Sequence, residues 1–170
     1  MYRRVLFLVI VVGLATGLVG QRVYSQVHSD HPLIQGVTDS KVTLQQGLIA
    51  AAQQGRPISA KFEVEDGKLQ LSVYTAKDGK FSEVIVDHTT GKVAKAEPIT
   101  EGEDLAEAKS ESATMRKAKT NLKAAVDKSA AASAGSHAIS VTPTLKDGHA
   151  VASVVLLVGQ QLKTVEQPLE

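Results

Sequence analysis

Residues 58–99 read ISAKFEVEDGKLQLSVYTAKDGKFSEVIVDHTTGKVAKAEPI, and the fold class follows from how this stretch alternates. Asp66-Gly67 and Asp78-Gly79 each separate runs in which apolar or β-branched residues recur at every second position. That period is the pleat of a strand, and Asp-Gly accepts the positive φ that a tight hairpin demands. His88-Thr89-Thr90-Gly91 makes a third turn ahead of KVAKAEPI at 92–99. A four-stranded antiparallel meander with one apolar face is predicted.

Upstream, Leu44, Leu48, Ile49 and Ala52 fall at helical spacing, and Thr43 stands three residues before Gln46. A capped helix from Thr43 to Gln54 is expected, ended by Gly55 with Pro57 just beyond, and it supplies the cover for the apolar face. Residues 26–40, QVHSDHPLIQGVTDS, contain Pro32 and Gly36 without a clear period and read as a linker.

The strand pattern returns downstream. HAISVTPTL at 137–145, Asp147-Gly148, AVASVVLL at 150–157 and LKTVEQPL at 162–169 repeat the earlier order. An offset of 81 places Ile58 on Ile139, Ala60 on Val141, Val64 on Leu145, Asp66-Gly67 on Asp147-Gly148, Val73 on Val154 and Val84 on Val165. An offset of 78 places Leu44 on Leu122 and Leu48 on Val126. The loop between helix and strand is therefore three residues longer in the second copy, a change that loops absorb readily. Between the meanders, Glu101 to Ala132 reads as one long helical region carrying Leu105, Ala108, Met115, Ala118, Leu122, Ala125, Val126 and Ser129. The second copy reaches Glu170 without a fourth strand, so its sheet is expected to be short or to borrow an edge.

The fold class expected is α+β: two tandem helix-plus-antiparallel-meander modules behind an N-terminal signal or anchor segment. The boundaries are 1–25 for that segment, 26–40 for the linker, 41–100 for the first module and 101–170 for the second. Arg3 and Arg4 precede the uncharged run VLFLVIVVGLATGLVG at 5–20, the signature of bacterial-type export. Its sixteen residues lie between the lengths of a cleaved signal and of a bilayer span. Val23-x-Ser25 permits cleavage before Gln26. The modules are thus expected in the periplasm or outside the cell, or else held outside the cytoplasm by an inner-membrane anchor, with membrane contact only through an uncleaved leader.

Composition excludes several functions. With no cysteine there is no disulfide, thiolate metal site or cysteine nucleophile. Nineteen basic and eighteen acidic residues interleave without a basic stripe, which argues against nucleic acid. The absence of Trp and a 4% aromatic content require cores of Val, Leu, Ile and Ala.

Residues 41–99 resemble a PepSY domain, whose closing Val-Asp-x-x-Thr-Gly-x-Val hairpin is matched by Val86, Asp87, Thr90, Gly91 and Val93. Over 113–170 that hairpin is absent, and the second copy resembles a degenerate PepSY module. The resemblance implies a module without catalytic residues or cofactor, and a protein partner, a peptidase, under restraint. Asp66, Gly67, Asp87, Thr90, Gly91, Asp147 and Gly148 are its structural turn residues.

The chemistry-bearing residues fit that reading. His88, His137 and His149 fall at hairpin and strand starts, and His28 and His31 in the linker. Cleavage before Gln26 would make His28 third from a free amine, a donor set suited to square-planar Cu(II) or Ni(II). Asp87-His88 is an adjacent acid–histidine pair, and a hairpin tip gives it no cleft for hydrolysis. The expected role is non-enzymatic binding or regulation outside the cytoplasm, by restraint of an envelope protease. The alternative is a cell-envelope sensor or metal-handling accessory.

Overall fold

The computed structural model describes residues 31–170. The leader, its cleavage point and His28 lie outside the described residues. The chain is α+β, with four helices and a seven-stranded antiparallel sheet. In order these are α1 (His31–Asp39), α2 (Leu44–Ala51), β1 (Arg56–Glu65), β2 (Lys68–Lys77), β3 (Lys80–Val86) and β4 (Val93–Ile99). Then follow α3 (Gly102–Lys117), α4 (Leu122–Ala131), β5 (His137–Lys146), β6 (His149–Val158) and β7 (Gln161–Pro168).

The expected linker is corrected: its second half is α1. Leu33, Ile34 and Val37 form a helical stripe packed on the core. Pro32 stands in the first turn, where a missing N–H costs nothing. Gly36 lets the helix approach the sheet, since a Cβ there would lie 2.9 Å from Leu69 Cδ1. The two residues taken as linker signals are thus a helix start and a packing notch.

α2 forms as expected at its start, with Gln46 N donating to Thr43 Oγ1 at 3.2 Å and Thr43 N donating to Gln46 Oε1 at 2.8 Å. It stops at Ala51, and 52–54 continue as a turn. The second helical region is also corrected, because it is two helices. Ala118 is extended, and Asn121 caps α4 by accepting from Ala124 N at 2.8 Å. Lys119 N and Thr120 N both donate to the Leu169 carbonyl, at 2.7 and 2.8 Å, which fixes the break.

The second meander was expected to form a short sheet or to borrow an edge, and the two meanders share one sheet, in the order β4-β3-β2-β1-β5-β6-β7. β1 and β5 pair antiparallel, Ala60 opposite Val141 and Lys61 opposite Ser140. Each was the outer strand of its own meander, and joining them pairs backbone groups that would otherwise be left at an edge. The register puts Ala60, Phe62, Leu71, Val73, Val84 and Val86 on the same face as Val141, Ala152 and Val154. All nine are buried, in one continuous and mainly aliphatic cluster. α1, α2 and α4 cover that face, and α3 alone crosses the other, touching β2, β1, β5 and β6.

The hairpins β1–β2, β2–β3 and β5–β6 each turn on two residues of positive φ, at 50° and 74° for Asp66-Gly67 and 52° and 83° for Asp147-Gly148. This is the mirror-type turn that matches strand twist. A Cβ on Gly67 would meet nothing within 4 Å. Gly67→Val should therefore cost about 1–2 kcal/mol through backbone strain alone, read as a lowered denaturant midpoint at unchanged m-value.

Candidate functional site

The turn residues singled out in the sequence divide into two hairpin tips and one hydrogen-bonded loop. Asp66-Gly67 and Asp147-Gly148 are exposed tips at opposite ends of the sheet. Asp87, Thr90 and Gly91 build the loop between β3 and β4. Asp87 Oδ1 accepts from Thr89 N, Thr90 N and Thr90 Oγ1 at 3.1, 2.6 and 2.8 Å. Gly91 N donates to the Asp87 carbonyl at 2.8 Å, and Gly91 has φ 73°. The Thr90 bonds, backbone first, and then Thr89 N hold the Asp87 carboxyl below its ordinary pKa. His88 serves through its backbone: its carbonyl accepts from Lys41 N at 3.0 Å and Ser40 Oγ at 3.1 Å, tying the loop to the start of α2.

A second cluster lies beneath α3, and sequence reasoning missed it. Register places Ser59, Lys61, Glu63, Ser72 and Tyr74 on the face opposite the aliphatic one. Across that face α3 brings Glu111, whose Oε2 accepts from Ser59 Oγ at 2.5 Å. Burial pushes the Glu111 carboxyl up to about 7; the Ser59 bond works against this, the Glu107 charge adds to it, and Lys61 opposes it. Burial likewise raises the Tyr74 phenol, helped by the charges of Glu83, Glu63, Asp104 and Glu111. Lys61 pairs with Glu63 at 2.8 Å and stands 5.7 Å from the Tyr74 ring centroid. Ser72 Oγ donates to Glu63 Oε1, and Gln70 Nε2 to Ser72 Oγ, both at 2.9 Å.

The signal for this cluster was the spacing of Asp104, Glu107 and Glu111, which fall on the same side of α3 as the buried Ala108 and Met115. Carboxylates in the buried stripe of a helix mark an interface that titrates. Arg56 Nη2 donates to the Met115 carbonyl at 2.7 Å and finishes the C-terminal end of α3.

The sheet ends in two unlike edges. β4 carries Pro98 in the strand and Lys95 paired with Glu97 at 2.7 Å, both of which discourage further pairing. β7 reaches Pro168 before any proline, and Leu162 on it is 36% exposed. Glu166 on β7 is held by Lys146 at 2.5 Å. Among the described residues no group of three or more His, Asp or Glu side chains is placed to hold a metal ion. One shallow depression of about 290 Å³ is lined by Gln54, Thr75, Lys77, Asp78, Lys80 and Ser82, away from the Asp87 loop and the α3 cluster.

Because the Asp87 carboxyl has its pKa lowered in the fold, the stability it adds is present above the ordinary aspartate range and is lost as pH falls through the lowered value. Asp87→Ala should lower the melting temperature by a few degrees at neutral pH and much less in strong acid; equal losses at both would contradict the loop chemistry. No family model, curated protein or solved structure matches this chain.

Proposed function

We propose that the chain is an exported, non-enzymatic binding protein of two tandem PepSY-like modules, the second degenerate, that restrains an envelope peptidase through its β7 edge. The leader at 5–20 behind Arg3-Arg4 supports export. Element-by-element correspondence supports the duplication. Thr43 and Asn121, the N-caps of α2 and α4, stand 78 apart. So do the buried positions Leu44, Gly47, Leu48 and Ala51 and their partners Leu122, Ala125, Val126 and Ser129. The strand irregularities at Ile58 and Ile139 stand 81 apart.

The observation that carries the functional reading is an asymmetry in this correspondence. β3 and β7 are counterparts at offset 81, and β4 lies on the outer side of β3, while on the outer side of β7, away from β6, there is no strand among the described residues. An extended segment of a partner fits the position that β4 holds in the first half, through main-chain hydrogen bonds that depend little on the partner's sequence. The peptidase as the partner is what the PepSY resemblance of residues 41–99 implies.

The test joins capture with edge-blocking. Full-length protein is titrated into peptidase assays of the envelope fraction of its own cell, with mass spectrometry of what it retains. Alternate residues of an edge strand point their N–H outward, so of Thr164→Pro and Val165→Pro one should unsettle β6 pairing. The other should keep the melting temperature and weaken inhibition at least about tenfold, roughly 1.4 kcal/mol. Recovery of a metal transporter or reductase in place of a peptidase would favour the sensor or metal-handling reading, and turnover of casein or esters by the purified protein would overturn the non-enzymatic one.

A further inference from the structure

α3 differs from the other helices in what holds it down. Its buried residues are Ala108, Thr114 and Met115, with Leu105 only partly covered, so little apolar surface is committed to the sheet. Its central contact is polar, Glu111 against Ser59. The helix is set off from its neighbours at both ends, by Gly102 with φ 76° at the start and by extended Ala118 after the end, where Arg56 holds the Met115 carbonyl.

The charges around Glu111 do not neutralise it. β1 presents Lys61, already paired with Glu63, and Arg56, committed to the Met115 carbonyl. β2 presents Tyr74, and β3 adds the Glu83 charge that bears on that phenol. On α3 itself Glu103, Asp104 and Glu107 lie toward the same end, and burial and Asp104 raise the Glu107 carboxyl as well. Lys109, Arg116 and Lys117 are exposed on α3. β5 and β6 bring Lys146 and His149 to this face at their shared hairpin, engaged by Glu166 and Glu170 at 2.5 and 2.9 Å, and His137 at the far end of β5. An ionised Glu111 is therefore desolvated, with the like charge of Glu107 against it and Lys61, which also pairs with Glu63, as the cation acting in its favour.

We propose that α3 is a proton-controlled strap: protonated Glu111 seats it against Ser59, and ionised Glu111 drives it off the sheet, uncovering Tyr74 and the strands beneath. The inference stands apart from the partner proposed above, since it concerns the strap and not the β7 edge. The sign follows from linkage. The seated state holds its proton to a higher pH than a solvated glutamate, so seating is strongest in acid and weakens as pH rises from the ordinary glutamate range to about 7, where the carboxyl titrates when seated. Above that the loss is complete and the curve flattens. Glu103 and Asp104 in the first turn act oppositely, because their charge favours the helix N-terminus at higher pH.

Hydrogen exchange of the full chain, read by mass spectrometry and corrected for intrinsic rates, tests this at about pH 5.5 and about pH 8.5. The opening constant of residues 106–117, relative to that of α4, should rise at least about tenfold in the wild type. In Glu111→Gln, which keeps the shape of the protonated side chain, it should stay constant. The His149–Glu170 pair also loosens as pH rises, because its bond to Glu170 raises the His149 pKa, so the comparison with Glu111→Gln decides the matter. Constant protection of α3 in the wild type, or an equal rise in Glu111→Gln, would overturn the proposal. Ser59→Ala is the second variant: without the hydroxyl that favours the charged form, the midpoint of opening should move to higher pH, and an unmoved midpoint would also overturn it.

Discussion

Two residue pairs, Ala60 with Val141 and Lys61 with Ser140, join strands from opposite halves of the chain, and most of the architecture depends on that seam. It turns two small meanders into one sheet whose aliphatic face is continuous, so α2 and α4 lie side by side on it and share one core. It also dictates the route of the connection. The chain leaves β4 at one edge and must begin α4 over the other half, and the aliphatic face is already occupied by α2. The free route runs over the polar face. A helix of sixteen residues is about 24 Å long, close to the five strand spacings of about 4.8 Å that separate β4 from β6. The length of α3 matches the crossing it has to make.

That route explains why a carboxylate is buried in a chain otherwise built on aliphatic packing. The face α3 crosses was laid out as the solvent side of an alternating sheet, with Ser59, Lys61, Glu63 and Ser72 pointing to it. A helix laid over such a face meets polar partners and answers with polar side chains. The resulting contact is directional where the aliphatic one is not, and it depends on a proton.

The strands were legible because alternation and Asp-Gly turns act locally: β1, β2, β3 and β5 began and ended within two residues of where Ile58, Leu69, Phe81 and His137 placed them. The start of α2 was legible for the same reason, Thr43 and Gln46 being three apart. α1 was not, because its three apolar residues are few and Pro32 and Gly36 carry the opposite local meaning until Leu69 is beside them. The break between α3 and α4 was hidden by a period that runs on through Ala118, while its causes, the Asn121 cap and the Leu169 carbonyl, are respectively subtle and remote. The seam was illegible, since it pairs Ala60 with Val141, 81 positions on, and leaves no local signature. Of the Glu111 cluster only the α3 half, Asp104, Glu107 and Glu111 at helical spacing, could be read locally, because its partner Ser59 lies 52 positions away.

The ring beneath the strap has one more consequence. The chain has no tryptophan, and its three tyrosines are Tyr2, Tyr24 and Tyr74. Within residues 31–170 a single phenol therefore accounts for all tyrosine emission, and it sits under α3 with a cation near its face and carboxylates around it. The protein carries an optical reporter at the place where its least aliphatic helix meets the sheet, and the light it emits is a record of that one interface.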